Sequence, residues 1–138
     1  MMSVTLKRID VVVLFVADVN RSKAFYRDTL GFELTFEDQE SAYFGLEGAS
    51  LLLLSVAGAQ NLLTPEAVAA RRSPGASSQL VAFVDDVDQT YRDLAAQGVE
   101  FVREPIEREW GMRTAHFKDP DGNVWEIAQP VPSHADGP

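Results

Sequence analysis

Apolar and polar positions along this chain follow two rhythms, one strand-like and one helix-like, and the same succession is written twice. Ile9 to Val16 is rich in β-branched residues, the composition of a strand. Asp18-Val19-Asn20 then opens a helix with Asp18 or Asn20 as its cap. The helix carries Val19, Ser22, Phe25, Tyr26 and Leu30 at one-face spacing and ends at Gly31. A strand follows over Phe32–Phe36, and Ser41–Leu46 with Ser50–Ser55 forms a hairpin around Glu47-Gly48-Ala49. The order is β-α-β-β-β. From Gln79 it recurs: a strand over Leu80–Val84 leads to a helix opened by Asp85-Asp86-Val87-Asp88. That helix has the stripe Val87, Thr90, Tyr91, Leu94 and Ala95 and a terminating Gly98. A strand over Val99–Val102 and a closing hairpin complete the copy. The local text agrees as well: Phe15-Val16-Ala17-Asp18-Val19 matches Phe83-Val84-Asp85-Asp86-Val87, and Gly31-Phe32-Glu33 matches Gly98-Val99-Glu100. Such self-similarity implies two copies of one supersecondary unit.

The closing hairpin, Ala115 to Ile127, holds the most suggestive chemistry. Asp119-Pro120-Asp121-Gly122-Asn123 is turn text: Pro presets φ, Gly tolerates positive φ, and Asp and Asn close turns through their side chains. Setting Lys118 opposite Val124 pairs Phe117 with Trp125, His116 with Glu126 and Ala115 with Ile127. Ala115, Phe117, Trp125 and Ile127 then form an apolar face, and Thr114, His116, Val124, Glu126 and Ala128 the other. A glutamate in mid-strand with a histidine beside it marks candidate acid–base chemistry; the plainer reading is a partly solvated sheet face.

Between the copies, Thr64-Pro65-Glu66 is a helix-start signal for a short helix over 65–72, and Ser73 to Ser78 reads as a flexible connection. The expected organisation is one domain over 1–138. Module one spans 8–56, a linker 57–78, module two 79–130 and a frayed tail 131–138, where His134 reads as a solvated residue. Composition narrows the function. A formal net charge of −9 argues against nucleic acid or an anionic membrane as partner. With no cysteine there is no disulfide framework, thiolate metal site or cysteine nucleophile, which fits a cytoplasmic protein. The apolar run Val11 to Ala17 is too short to span a bilayer.

The chain resembles the glyoxalase/bleomycin-resistance/dioxygenase superfamily, the vicinal oxygen chelate fold. The text that carries the resemblance is Phe15 to Tyr26, Leu30-Gly31-Phe32, Val84-Asp85-Asp86-Val87-Asp88 and Phe117 to Glu126. The resemblance implies an α+β fold in which two tandem β-α-β-β-β modules form a curved mixed-sheet cup. It also implies a homodimer, often with modules exchanged between chains. Enzymes of the family hold a divalent metal with four side chains, His, Gln or Glu, from the first and last strands of each module. Here those positions fall on Val11, Leu52, Gln79 and Glu126. Two are aliphatic, and one amide with one carboxylate does not make a firm transition-metal site, so no metal cofactor is expected. The alternative is a divalent metal, reached through a register error of one that would bring in Asp10.

Alternation assigns the cup Val11, Val13 and Phe15, then Ala42, Phe44, Ser50, Leu52 and Leu54 from module one. Module two gives Gln79, Val81, Phe83, Thr114, His116, Val124 and Glu126. This is an apolar, aromatic concavity with a few polar groups, the chemistry of a small-molecule pocket. Trp110 and Arg113 are expected at its rim, Arg113 facing a ligand anion or, equally, pairing with Glu107 or Glu109. The reading favoured is a metal-free protein that sequesters a planar or hydrophobic molecule, like the drug- and antibiotic-resistance members of the family. The alternatives are a metal-dependent lyase, dioxygenase or thiol transferase, and a metal-free enzyme with His116 and Glu126 as acid and base.

Overall fold

Val11–Val16 forms β1, and Asp18 caps the helix that follows by accepting from the Arg21 amide at 3.0 Å. That helix, α1 (Val19–Ala24), continues as a π-helical turn over Phe25–Thr29 and stops at Gly31, whose φ of 76° a residue with a Cβ rarely adopts. β2 (Glu33–Glu37), β3 (Ser41–Gly45) and β4 (Ser50–Ser55) complete the first β-α-β-β-β unit in this computed structural model, which describes residues 5–69, 76 and 78–132. The second unit repeats the order with β5 (Gln79–Phe83), α4 (Val87–Ala96), β6 (Phe101–Glu107), β7 (Met112–Lys118) and β8 (Val124–Pro130). Asp86 caps α4 as Asp18 caps α1, accepting from the Gln89 amide. The chain divides into two compact units, Met1–Ala70 and Arg71–Pro138, and the division falls inside the stretch read as a linker.

Each unit is a four-stranded mixed sheet with the same topology, β1-β4-β3-β2 and β5-β8-β7-β6. The first strand runs parallel to the last, and the other pairs are antiparallel. One face of each sheet packs on its helix. In the first unit Val16, Ala42, Phe44, Leu51 and Leu53 are buried there with Tyr26 of the π-helical turn. The Tyr26 ring centroid lies 5.8 Å from Phe32 and 6.1 Å from Phe44. In the second unit an aromatic row runs Tyr91–Phe101–Phe117–Trp125 at successive centroid distances of 4.6, 5.6 and 6.3 Å. Such contacts add to the free energy of burial, which already favours these large rings.

Two sequence expectations change. Phe44 and Ala42 are not on the face shared by Val13 and Leu52. β3 pairs with β4 so that Tyr43 opposes Leu52 and Phe44 opposes Leu51, which turns Phe44 into the helix-side core, where it is fully buried. A helix absent from the sequence reading, α2 (Val56–Leu62), follows β4 directly, capped by Ser55 through the Gly58 amide. Gly58 brings this helix close to Leu54, since a Cβ there would lie 2.7 Å from a Leu54 methyl. The expected helix over 65–72 is present as α3 (Pro65–Ala69), started by Thr64 accepting from the Ala67 amide, and positions 70–72 lie outside the described residues. Most of the Ser73–Ser78 connection and His134 lie outside the described residues.

Candidate functional site

The other face of each sheet carries no helix of the β-α-β-β-β repeat, and alternation from the observed registers fixes who stands on it. In the first unit these are Val11, Val13 and Phe15 of β1, Ser50, Leu52 and Leu54 of β4, and Tyr43 of β3. Val13 is the direct partner of Leu52, and Val11 sits one diagonal step away. Asp10 does not enter this set: it precedes β1, and its carboxylate accepts from the Arg8 guanidinium at 2.6 Å. Val11 and Phe15 remain over a third exposed. An open concavity of about 510 Å³ at the end of this sheet is bordered by Arg8, Asp10, Val11, Tyr43 and Ser50, and it contains none of the acid–base candidates.

In the second unit the open face holds Gln79, Val81 and Phe83 of β5, Val124 and Glu126 of β8, and Thr114, His116 and Lys118 of β7. The closing hairpin has the register read from its turn: Lys118 faces Val124, Phe117 faces Trp125, His116 faces Glu126 and Ala115 faces Ile127. Asp119 holds that turn. Its nearly buried carboxylate accepts from the amides of Asp121 at 2.9 Å and Asn123 at 2.8 Å, and from the Asn123 side chain at 2.9 Å. Gly122, at φ 86°, closes the turn by donating to the Asp119 carbonyl.

That register brings three of the predicted polar residues together. His116 Nε2 lies 2.9 Å from Glu126 Oε1. A carboxylate oxygen only accepts, so Nε2 carries the proton and donates. The same oxygen accepts from the Gln79 amide nitrogen at 3.3 Å. Gln79 is paired with Val124, one diagonal step from Glu126, a distance that long side chains bridge. The side chains of His116 and Glu126 are 16% and 18% exposed, so the pair is largely withdrawn from water but reachable. Val81 and Phe83 flank it on β5 at 48% and 72% exposure.

Other predicted members lie elsewhere. Arg113 alternates onto the helix side, with Ala115 and Phe117, and its guanidinium forks onto the Asp88 carboxylate of α4 at 2.7 and 2.8 Å. It does not line the open face, and its main partner is neither Glu107 nor Glu109. The Arg113 guanidinium, through these hydrogen bonds, holds the Asp88 carboxyl below its ordinary range. Trp110, in the β6–β7 turn, is exposed and lies under the Arg108 guanidinium, 5.6 Å from its ring centre. Lys118, Tyr43 and Arg103 stand on the open faces without having been assigned to them from the sequence. Tyr43 was hidden by the β3 register. Arg103 opposes His116 across a bulge in β6 that spacing could not locate.

The four metal positions implied by the resemblance can be tested against this geometry. Val11 and Leu52 present only hydrocarbon, on a face confirmed by their strand registers. Glu126 Oε1 is shared between imidazole and amide donors, and among the described residues no group of three or more His, Cys, Asp or Glu side chains converges as metal ligands would. These residues do not fit a divalent metal, which needs several convergent donors.

Residues 8–127 match the family model of the Glyoxalase/Bleomycin resistance protein/Dioxygenase superfamily. The chain is 35% identical to the YraH protein of Bacillus subtilis (strain 168) over 117 residues, 83% of this chain and 91% of that protein. It is 30% identical to the virulence protein STM3117 of Salmonella typhimurium over 129 residues, 90% of this chain and 85% of the relative. A glyoxalase/bleomycin resistance protein/dioxygenase crystal structure from Nocardioides superposes with a TM-score of 0.80 at 24% identity, covering 99% of this chain and 89% of that one, a likeness of fold. Matching family model, curated relatives and the twice-written β-α-β-β-β sheet agree: the chain belongs to the glyoxalase/bleomycin resistance protein/dioxygenase superfamily.

Proposed function

We propose that this protein is a metal-independent binding member of its superfamily that sequesters a planar, largely apolar small molecule, in the manner of the drug- and antibiotic-resistance members. The observation that carries the reading is the open face of the second unit. There Gln79 and His116 both hydrogen-bond to Glu126 beside the exposed Phe83 and Val81. A few placed polar groups within apolar surface are the chemistry of small-molecule recognition. The misfit of the donor set to a metal supports binding without one. The reading includes a homodimer acting in the cytoplasm.

Thermal unfolding in the presence of a library of aromatic compounds tests it. A ligand at a hundred times its Kd stabilises by about 2.7 kcal/mol, a readily measured rise in Tm. The hit should lose affinity in Phe83→Ala, and zinc, nickel or manganese should leave Tm unchanged. A metal that raises Tm in the wild type but not in Glu126→Gln would overturn the metal-independent part.

The 2.9 Å His116–Glu126 hydrogen bond favours one second reading, a metal-free enzyme in which this pair moves a proton. Turnover decides between them. Conversion of a bound hit to product, abolished by His116→Ala with affinity retained, would replace sequestration by catalysis.

A further inference from the structure

We propose that the ligand taken by the second unit's open face carries a cationic nitrogen head group on its planar body, an arylmethylamine or an aryl amidine. This rests on the binding reading above and adds the ligand's charge and hydrogen-bonding sense. Cross-strand pairing sets Val81, Glu126, His116 and Arg103 in one row across the sheet, with Gln79 diagonal to Glu126. Counting donors and acceptors in that row decides what it can take. Glu126 Oε1 already accepts from His116 Nε2 and from the Gln79 amide nitrogen. What remains for a ligand is Glu126 Oε2 and the Gln79 amide oxygen. Both are acceptors. A carboxylate or phosphate brought here would set acceptor against acceptor and charge against like charge. A protonated amine or amidine offers two or more N–H donors and the opposite charge.

Lys118, drawn to Glu100 at 3.7 Å, and Arg108, which donates to Thr114 at 3.0 Å, are already engaged; Arg103 is the counter-argument that remains, and it is weaker by position. It stands exposed on the edge strand β6, where water and salt screen it, while the Glu126 side chain is 18% exposed in an interior strand. At an effective dielectric of about 20 a charge acts roughly four times as strongly as in bulk water. The net charge of −9 favours a cation at longer range. Phe83, 72% exposed on β5, gives the planar body a face to stack on.

Isothermal titration of the full chain at neutral pH with three probes, naphthylmethylamine, naphthylmethanol and naphthoate, tests this. The amine should bind on the order of tenfold more tightly than the alcohol, and naphthoate most weakly. Glu126→Gln should erase the preference for the amine and leave the alcohol's affinity in place, while Arg103→Ala should not weaken the amine. Equal binding of amine and alcohol in the wild type overturns the head-group inference and leaves the binding reading standing. So does naphthoate binding most tightly and losing its affinity in Arg103→Ala. If no probe binds and the wider aromatic library also yields nothing, the binding reading itself falls and takes this inference with it.

Discussion

Two phenylalanines separate structural from functional roles in this chain. Phe44 and Phe83 both read from the sequence as ligand-facing, yet one is fully buried beside Tyr26 and Phe32 and the other is 72% exposed. The distinction comes from pairing, not composition. β4 is Leu at four consecutive positions, so its pattern carries no alternation, and β3 offers only Ser-Ala-Tyr-Phe-Gly against it. Either face was available until the Gly45–Ser50 pairing fixed the hairpin register. The energetic consequence is large. Phe44→Ala should lower stability by about 3–5 kcal/mol, the cost of a buried aromatic and the cavity it leaves. Phe83→Ala should change stability by less than about 0.5 kcal/mol, as exposed substitutions do, and weaken ligand binding instead. Urea unfolding monitored by circular dichroism compares the two. Equal destabilisation would show that the first unit's core is packed differently.

At the scale of elements, legibility followed turn and cap chemistry. The closing hairpin was readable to the residue because Asp119, Gly122 and Asn123 each do in the structure what their types predict, so His116 falls opposite Glu126. Asp18 and Asp86 cap their helices for the same reason. α2 was not readable: its text, Val-Ala-Gly-Ala-Gln-Asn-Leu, begins with a β-branched residue and holds a helix-weakening Gly58, and its cap Ser55 is also the last residue of a strand. Arg113 was misplaced even though the alternation that put Thr114 and His116 on the open face sends it to the other side, where Asp88 waits on α4. That ion pair ties helix to sheet and makes a pH prediction. Arg113 depresses the folded-state pKa of Asp88, so the pair's contribution is fully present above the unfolded carboxyl value of about 3.9 and is lost as pH falls through the lower folded value. Because both partners are partly exposed, the contribution at neutral pH is about 0.5–1 kcal/mol. Arg113→Ala should therefore be less stable than wild type at pH ~7 by about that amount, and the gap should close in acid below the folded pKa. A gap that stays constant from neutral pH into acid would mean that the loss is packing and not charge.

The whole molecule is built by repetition, and repetition leaves each unit with edges to manage. In their sheets, β2 and β6 are edge strands with protective chemistry: Glu33 and Glu37 on one, Arg103, Glu104, Pro105 and Glu107 on the other. β1 and β5 are edges without it. Val-Val-Val-Leu-Phe-Val and Gln-Leu-Val-Ala-Phe carry no charge and no proline, and β1 especially has the β-rich, uncharged text of a strand that pairs readily with another. Bare backbone donors and acceptors along such strands, with Val11 and Phe15 partly exposed beside β1, favour a covering surface. A second copy of the chain supplies one of matching pattern, and a closed two-fold assembly limits further growth. The expected state is a homodimer burying on the order of 1,200–2,000 Å². Sedimentation velocity at micromolar concentration should give a species of twice 15.2 kDa. Val11→Lys sets a charge on the β1 edge at a position already 38% exposed, so it should leave the fold intact. It should raise the dimer's dissociation constant if β1 lies in the contact. A wild-type chain that sediments as a single 15.2 kDa species throughout the micromolar range would show that these edges are satisfied within one chain.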